Sequence, residues 1–516
     1  MSIQLVWFKR DLRVRDHRPL FEASKRGRVV CLYVYEPELL GARDHDPSHL
    51  VFANQCLVSL RSSLRRLGAD LTLRFGPVPE VFDRLAEELT PAGGIDAIYS
   101  HEETGGDLTY RRDRRVARWS RRTGVRWIEY PQHGVVRPLR SRDGWAKQWN
   151  QRMGEAEAPT PGGLEGVGDV LPGLDHGRIL GPEAFGLPAS TKDKAQPGGE
   201  ERARRLLRSF LVERGENYRA DMSSPVEGWD GCSRLSPHLA WGSVSIRSVY
   251  QSARSRRDEL KTLPADEVTK RWRGSISSFM SRLRWHCHFM QKLEDEPPIE
   301  FRNMNRAYDD LRPEEPDPER LAAWREGRTG YPMVDACMRC LHSTGWINFR
   351  MRAMLASFAS YHLWLHWREP AIYLARQFVD FEPGIHYSQF QMQSGVTGIN
   401  TVRVYSPAKQ VKDQDPTGVF IRRWVPELEA VPEKYLPEPH TMPELTQQMA
   451  SCRVGVDYAS PIVDHRRAYR EARERIFAVR RTDFAKEEAA RVYLKHGSRR
   501  RPADRGAPRR SRGGGS

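Results

Sequence analysis

The sequence lacks a disulfide framework, a membrane-spanning segment and a secretion signal. Its seven cysteines are scattered and odd in number, which suits a reducing cytoplasm better than an exported, disulfide-bonded protein. No uninterrupted apolar run approaches the ~18 residues of a transmembrane helix. The N-terminus becomes charged after a few apolar residues, unlike a secretory signal. The sequence therefore predicts a cytoplasmic protein that does not associate with a membrane.

Common catalytic and nucleotide-binding motifs are also missing. No GxGxxG or Walker sequence follows the first predicted strand, which argues against ordinary dinucleotide and P-loop sites. HExxH, GxSxG and EF-hand patterns do not occur either. His286 and His288 are two positions apart on a predicted helix and point in different directions, so we predict no metal site there. Cys337 and Cys340 have CxxC spacing without a second pair, and we interpret them as buried thiols on a helix face.

Positive charge is what the chain has in excess. Lys plus Arg is 83 and Asp plus Glu is 67, so the net charge of the 516 residues is +16. The segment 497–516 holds seven Arg and one Asp, which leaves +10 for the rest. This balance favours a polyanionic partner such as nucleic acid over a membrane surface. A hydrophobic fraction of 39% with 14 Trp excludes a wholly disordered chain.

Patterning divides the chain into four parts. Residues 1–135 alternate short β-branched runs with helical runs, which predicts an α/β domain with a parallel, Rossmann-like sheet covered on both faces. Residues 136–200, rich in Gly, Pro and charge, are predicted to be an interdomain linker. Residues 201–495 are predicted to form an all-α domain, and residues 496–516 a disordered basic tail. The ligands of such parallel sheets sit at the carboxyl ends of the strands, where the strand order reverses.

Two segments of the helical part suggest a large anionic, aromatic ligand. Ser233 and Arg234 lie just ahead of a predicted helix, where hydroxyls and backbone N–H groups can hold a pyrophosphate. By itself this pattern is more often only a helix cap. Arg352 lies on an otherwise apolar helix and needs an anion, which Asp380 or Glu382 can supply. The alternative interpretation of this arginine is a structural ion pair.

Six blocks of sequence together carry a family resemblance. They are VWFKRDLRVRDHRPL, SRLSPHL, GRTGYPMVDACMR, TGWINFRMR, DPTGVFIRRWVPEL and YASPIVDHRRA, spanning roughly residues 3–470. In this order they are similar to the photolyase/cryptochrome family. The resemblance implies an N-terminal antenna domain, a helical domain that binds FAD, and a second chromophore of folate or deazaflavin type. The implied chemistry is light-driven electron transfer from reduced flavin to a pyrimidine dimer flipped out of DNA.

The resemblance assigns FAD-binding positions one residue at a time. Arg352 matches the arginine near the isoalloxazine ring, and Asp380 matches its acidic partner. Glu382 stands where the family usually has an Asp that reaches the flavin ring. His386 falls at the position facing flavin N5, usually Asn in photolyases, and an imidazole there is expected to tune flavin protonation and redox state because it titrates near neutrality. The other matched positions are Tyr218, Ser233, Arg234, Leu235, Ser236 and Asn348.

The positions that match the family's DNA-lesion site show two departures. Trp285 matches the aromatic residue that stacks on the flipped dimer, an interaction worth about 1–3 kcal/mol per base. The alternative is a Trp buried in a helix core. Arg282 stands where many photolyases have a Glu, and it either binds the dimer electrostatically or marks an altered repair function. Met392 replaces the second stacking aromatic.

The family's relay of three tryptophans for flavin photoreduction is incomplete. Trp367 matches the middle member. The position nearest the flavin is Phe390, or Ser388 under another gap placement, and the outer position falls near Pro313 and Glu314. Because neither Phe nor Glu is readily oxidised, flavin reduction needs another route.

Three hypotheses follow for function. Phe349 and Ala353 occupy the positions of the His pair of the (6-4) branch, which favours cyclobutane dimers, and the cysteines lack the iron–sulfur arrangement of another branch. The leading hypothesis is a monomeric, FAD-dependent deoxyribodipyrimidine photo-lyase that splits cyclobutane pyrimidine dimers in DNA. The second is a cryptochrome-like blue-light photoreceptor without repair activity. The third is a basic nucleic-acid-binding protein with a vestigial flavin site.

Overall fold

The computed structural model describes residues 2–498. Five strands form one parallel sheet in the N-terminal part: β1 (Ile3–Phe8), β2 (Arg28–Tyr35), β3 (Leu71–Phe75), β4 (Ile95–His101) and β5 (Arg126–Tyr130). The strand order is β3-β2-β1-β4-β5, so the order reverses between β1 and β4. This arrangement confirms the predicted Rossmann-like α/β class.

Helices cover both faces of the sheet: α1 (Arg18–Ser24), α2 (Pro37–Leu40), α3 (Pro47–Leu67), α4 (Val78–Leu89) and α5 (Asp107–Thr123). Successive residues of β1 point to opposite faces, as a strand requires. Val6 and Phe8 belong to one hydrophobic cluster, and Leu5 and Trp7 belong to the other. Trp7 packs edge-on against Phe82 of α4, with 5.4 Å between ring centroids. Burial on both faces explains why β1 is apolar at almost every position.

The segment between the sheet and the helical part lies along the sheet. The N–H of Leu73 in the edge strand β3 donates to the carbonyl oxygen of His176 (3.0 Å), and the N–H of Leu164 donates to that of Leu67 (2.6 Å). The side chain of Leu164 is buried against the sheet's hydrophobic cluster. This segment is therefore an ordered cover over a strand edge that would otherwise be open.

The remainder is helical, which confirms the second half of the predicted fold class. The helices are α6 (Trp145–Gly154), α7 (Glu200–Ser209), α8 (Tyr218–Asp221), α9 (Gly228–Gly231), α10 (Ser236–Ala240), α11 (Ile246–Thr262), α12 (Glu267–Asp295), α13 (Pro318–Glu326), α14 (Pro332–Thr344), α15 (Phe349–Ser357), α16 (Arg368–Gln377), α17 (Pro383–Gln393), α18 (Pro407–Gln414), α19 (Val419–Trp424), α20 (Glu444–Met449), α21 (His465–Arg480) and α22 (Asp483–His496). Of the helices in residues 2–498, none is long and apolar enough to cross a membrane.

The predicted basic tail falls almost entirely on residues 499–516, which lie outside the described residues. The prediction placed His496 in this tail, but in the structure His496 is the last residue of α22. The His496 side chain is fully buried, and its Nε2 lies 2.6 Å from Oε2 of Glu296. This contact extends the helical part by one residue.

A close crossing of α12 and α17 shapes the centre of the helical part. A Cβ atom at Gly384 would lie 2.7 Å from Cα of Met290, so only glycine allows this approach. Because α17 begins at this crossing, the residues just before and after Gly384 are held against the C-terminal part of α12. The predicted flavin-ring residues lie in this stretch of chain.

Candidate functional site

The loop before α10 holds the residues predicted to bind phosphates. The guanidinium of Arg214 stabilises this loop by donating a hydrogen bond to the carbonyl oxygen of Ser233 (2.9 Å). Arg234 adopts a left-handed backbone with φ of 58°. Its guanidinium carbon lies 4.0 Å from the ring centroids of both Trp229 and Trp346. No local pattern in the sequence marks this pair of tryptophans, which fix Arg234 in place by cation–π contacts.

The other residues matched to the phosphate side lie close to Arg234. Leu235 is buried, and its N–H donates to Oγ of Ser233 (3.4 Å). Oγ of Ser236 accepts from Nε1 of Trp346 (3.3 Å). Tyr218 starts α8, and burial raises the pKa of its hydroxyl, with the nearby Cys232 adding to the effect. The resulting cluster combines hydroxyls and a guanidinium, the groups that bind pyrophosphate.

Arg352 and the buried Asp380 form the ion pair expected for the flavin-ring side. Nη1 and Nη2 of Arg352 donate to Oδ1 and Oδ2 of Asp380 at 3.0 and 2.7 Å. The guanidinium also lies over the Phe378 ring, 4.0 Å from its centroid. Asp380 is close enough to influence the pKa of Arg234, which burial lowers to about 10. The phosphate-side cluster around Arg234 and the flavin-ring pair Arg352–Asp380 therefore lie next to each other.

Three buried polar atoms of residues matched to the FAD site have no hydrogen-bond partner among residues 2–498. They are Nε of Arg234, Oδ1 of Asn348 and Oε1 of Glu382. A buried polar atom left unpaired costs about 1–3 kcal/mol, so each calls for a ligand group. A guanidinium, an amide and a carboxyl suit the phosphate, hydroxyl and ring N–H groups of FAD. The residues present therefore fit this cofactor.

His386 lies beside the ion pair, but it does not titrate near neutrality as the sequence suggested. Burial lowers its pKa to about 4, and Arg352 and Asp380 both act on it. Its Nε2 lies 2.8 Å from the carbonyl oxygen of Ala371, so the neutral ring carries its proton on Nε2. The rings around it are Phe378, Phe381, Tyr387 and Phe390. The expectation of a titrating imidazole is therefore corrected, because aromatic burial favours the neutral form.

The exposed side of α12 carries the two residues predicted to meet DNA. Trp285 is 44% exposed, and its ring rests against His288 and Phe289 of its own helix, at 5.8 and 5.5 Å between centroids. This exposure rules out the alternative of a Trp buried in the core. Arg282, one turn earlier, is exposed and interacts with the hydroxyl of Tyr218. Arg282 therefore joins the exposed surface of α12 to the phosphate-side cluster.

Phe349 adds an aromatic edge to this surface. It is 47% exposed at the start of α15, with its ring 5.9 Å from the guanidinium carbon of Arg282. Sequence reasoning used Phe349 only to judge the type of lesion and missed this contact. Next to it, Asn348 donates from Nδ2 to the carbonyl oxygen of Met222 (3.2 Å). An aromatic and cationic rim therefore lies directly over the ligand-fitting cluster.

Comparison with known proteins decides the family. The family model for DNA photolyase matches residues 4–148, and the model for the FAD-binding domain of DNA photolyase matches residues 279–478. A deoxyribodipyrimidine photo-lyase from Streptomyces griseus is 31% identical over 489 residues, covering 90% of this chain and 97% of that protein. The chain belongs to the photolyase/cryptochrome family. The prediction of FAD as its cofactor is confirmed with it.

Relatives named photolyase and relatives named cryptochrome both occur within this family. A cryptochrome DASH from Gloeobacter violaceus is 29% identical over 89% of this chain and 93% of its own length. A bacterial class III photolyase from Agrobacterium tumefaciens superposes with a TM-score of 0.80 at 26% identity, covering 93% of this chain and 98% of that one. An archaeal photolyase from Sulfolobus tokodaii with two FAD molecules superposes with a TM-score of 0.73 at 25% identity, covering 92% and 100%. Family membership alone therefore allows either repair or photoreception.

The residues matched to the family's electron relay, Trp367 and Phe390, contact different aromatic rings. Trp367 is fully buried and donates from Nε1 to Oδ1 of Asn303 (2.7 Å). The ring that it meets on α17 is Tyr387, at 6.4 Å between centroids. Phe390 is buried against His386 instead. Sequence reasoning missed Tyr387. Met392 is half-buried in the last turn of α17.

A cavity of about 320 Å³ lies at the carboxyl ends of β1 and β2, between the sheet and the helical part. The fold predicts a ligand at this edge, but the sequence identified none of the lining residues. Arg112 of α5 forms part of its wall and pairs there with Glu36 (2.8 Å) and Glu103 (2.7 Å). Lining side chains also include Tyr33, Tyr35, Asp44, His45, Trp241, Phe301, Phe381 and Tyr387. The wall is thus aromatic and charged at once.

A buried cluster of Asp11, His17 and His101 lies near this cavity but is explained by the fold. Within residues 2–498 it is the one group of three ligand-type side chains close enough to hold a metal. Oδ2 of Asp11 lies 2.9 Å from Nε2 of His17 and 2.7 Å from Nδ1 of His101. Since hydrogen bonds already engage these atoms, the cluster joins the end of β4 to the turn after β1.

Proposed function

We propose that this chain is a light-driven DNA repair enzyme, a deoxyribodipyrimidine photo-lyase that splits cyclobutane pyrimidine dimers. The observation that carries this proposal is the exposed ring of Trp285 beside Arg282, at the rim of the FAD site. An exposed aromatic face can stack on a base flipped out of the duplex, a contact worth about 1–3 kcal/mol. A buried structural Trp would offer no such face.

Each side chain of the site then has a task in the proposed reaction. Bound FAD supplies the electron that enters the dimer when light is absorbed. Ser233, Arg234 and Ser236 hold its phosphates, while the Arg352–Asp380 pair keeps a fixed charge arrangement at the ring. The Arg282 cation lies where it attracts the negative charge that the dimer gains.

The charge of the chain supports DNA as the partner. The net charge is +16, and Arg284 is exposed on α12 one residue before Trp285. Contacts between arginines and phosphates give affinity that falls as salt rises. We propose that the protein acts on dimer-containing DNA as a monomer in the cytoplasm. We also propose the division into residues 1–135, 136–200 and 201–495, with His496 added to the helical part.

The cavity at the ends of β1 and β2 suits a second chromophore in the proposed enzyme. Its volume of about 320 Å³ and its aromatic walls match the usual properties of small-molecule sites. The Sulfolobus tokodaii photolyase is described with two FAD molecules and with the implication of a novel light-harvesting cofactor, which supports this use of the fold. A chromophore of folate or deazaflavin type is our proposal for this chain.

A photoreceptor without repair activity is the second candidate. Arg282 stands where many photolyases have a Glu, and Phe390 interrupts the usual relay. Relatives named cryptochrome also cover about nine-tenths of the chain. These observations favour a role in which the flavin responds to light without splitting a dimer.

The deciding experiment uses purified protein with reduced FAD and an oligonucleotide that carries one thymine dimer. Dimer content is followed under blue light and in the dark. Light-dependent loss of the dimer supports repair. An intact dimer in the presence of bound, reduced flavin contradicts the proposal, and a (6-4) substrate then separates a different lesion specificity from photoreception.

A further inference from the structure

The ring of Tyr387 is in contact both with His386, the residue matched to the position facing flavin N5, and with the buried Trp367. Tyr387 follows His386 in sequence, and the two rings lie 5.5 Å apart between centroids. On its other side it meets the Trp367 ring at 6.4 Å and 70°. Phe390, at the position nearest the flavin in the family's relay, is a hydrocarbon ring that is not readily oxidised. A phenol next to both neighbours is the oxidisable group that the relay positions of this chain lack.

The hydroxyl of Tyr387 is bonded across to the α/β part of the molecule. It donates to Oδ2 of Asp44, in the segment before α3, at 2.8 Å. Burial raises the pKa of Tyr387 well above its ordinary value, and the carboxylates of Asp44 and Glu300 add to the rise, while Arg368 opposes it. The phenol is therefore protonated at neutral pH. Its oxidation is favourable only if the proton leaves together with the electron.

The carboxylate of Asp44 is the group that accepts this proton. This carboxylate is half-exposed and lines the cavity of about 320 Å³ together with Tyr387. The exposed Arg43 lines the same cavity, so the cavity wall reaches the surface of the molecule there. A proton that Asp44 accepts can therefore pass to water.

We propose that Tyr387, with Asp44 as its proton acceptor, is the electron donor in the photoreduction of oxidised FAD. Tyr387 gives one electron to the photoexcited oxidised flavin, its O–H bond breaks, and the proton moves to Oδ2 of Asp44. A neutral tyrosyl radical remains, and the flavin holds one more electron. A soluble thiol then gives one electron to the tyrosyl radical, loses its proton to water and becomes a thiyl radical, two of which join as a disulfide. The phenol regains its proton from Asp44, which exchanges protons with water through the cavity. Trp367 is the next ring in contact and exchanges electrons with Tyr387.

The structural alternative is that Tyr387 only satisfies its buried hydroxyl, as buried tyrosines usually do. The two roles differ in whether a radical forms at this residue. The inference rests on bound FAD and is independent of dimer repair.

The test is flash photolysis of the FAD-loaded protein, oxidised, with dithiothreitol as the thiol. Electron paramagnetic resonance identifies the radical, and absorbance follows flavin reduction. In the wild type we expect a tyrosyl radical and a slower rise of reduced flavin in heavy water. Tyr387→Phe keeps the ring against Trp367 and is expected to lose both the radical and the photoreduction. Asp44→Asn is expected to lose the solvent isotope effect and to slow photoreduction.

The matched control is Tyr373→Phe. Tyr373 of α16 also has a bonded hydroxyl, 2.9 Å from Nε2 of His342. We expect its variant to retain radical and rate. An unchanged tyrosyl radical in Tyr387→Phe overturns the proposal. If that variant fails to bind FAD, wild-type protein with ring-deuterated tyrosine decides, because an unchanged radical spectrum excludes a tyrosyl radical. Chemically reduced Tyr387→Phe should still split dimers if the proposed repair function holds, so the two proposals fail separately.

Discussion

Two arginines at the two sites of this molecule differ in how far the protein itself satisfies them. Arg112, at the wall of the strand-end cavity, is 2% exposed at its side chain and contacts three carboxylates within 2.8 Å: Glu36, Glu103 and Asp113. Arg352, in the FAD site, has one carboxylate partner and 25% of its side chain exposed. Arg112 is therefore committed to the fold, whereas Arg352 keeps donors for a ligand. The comparison separates a charge that stabilises the fold from a charge that we propose binds the cofactor.

The largest effect is expected for Arg112→Ala. Removing the cation leaves buried carboxylates uncompensated, which typically costs about 3–5 kcal/mol of stability. Urea unfolding of purified protein measures this loss. The matched control is Arg115→Ala on the same helix, whose exposed pair with Glu38 is worth about 0–1 kcal/mol. Equal stability losses in the two variants would contradict the distinction.

Arg352→Ala is expected to lower the affinity for FAD, and it also lowers stability because the buried Asp380 carboxylate loses its partner. Hydrogen bonds to a charged group contribute about 1.5–3 kcal/mol, so FAD affinity should fall by roughly 10- to 150-fold. The ratio of flavin to protein absorbance after purification, together with titration of apoprotein, checks this. Arg306→Ala, at an exposed pair with Asp309, should keep its flavin. Full flavin content in Arg352→Ala would mean that the arginine is only a structural partner of Asp380.

Trp285→Ala is expected to weaken lesion binding while leaving Arg112 and Arg352 in place. Loss of one base–aromatic stack corresponds to about 1–3 kcal/mol in affinity for dimer-containing DNA. Fluorescence titration with a dimer oligonucleotide measures it, and flavin content serves as the internal check. Phe484→Ala removes another exposed aromatic, on α22, and should bind the lesion like the wild type. Unchanged lesion affinity in Trp285→Ala would remove its assigned role.

The smallest effect is a pH dependence at Glu382 in the FAD-free protein. Burial raises the pKa of this carboxyl from its ordinary value of 4.5 to about 7. Between these two values the folded state keeps a proton that the unfolded state releases, so stability falls as pH rises, and the fall is complete above about 7.

Glu382→Gln carries no such proton, so the melting-temperature difference between variant and wild type should grow in the variant's favour from pH 5 to 7. Thermal melting across this range measures it. Glu369→Gln, at an exposed pair with Arg43, should follow the wild-type profile. Parallel profiles for Glu382→Gln and wild type would show that the carboxyl is not desolvated.

Local signals explain which parts of this molecule the sequence could predict. The strands of the sheet lie in the short runs that alternate with helical runs in residues 1–135, as β3 (Leu71–Phe75) does. The Arg352–Asp380 pair follows from an arginine on an apolar helix that needs an anion, and the two residues are only 28 positions apart. Such features depend on residues within one segment or in neighbouring segments of the sequence.

Contacts between distant segments could not be predicted in the same way. The Tyr387–Asp44 hydrogen bond joins residues 343 positions apart, and no local pattern marks either partner. The cavity at the strand ends is likewise lined by residues from both halves of the chain. The low pKa of His386 depends on how deeply four aromatic rings bury it, which a motif match does not express. These properties arise from packing between elements.

The segment along β3 has a consequence for expressing the α/β part alone. A fragment that stops shortly after β5 would leave out Leu164 and His176, whose backbone groups bond to the end of α3 and to β3. The bare β3 edge would then be free to pair with the same edge of another fragment. A fragment that continues to residue 199 keeps the segment that covers the β3 edge. The length of the fragment, rather than the sequence within the strands, should therefore determine whether the isolated α/β part stays monomeric or assembles.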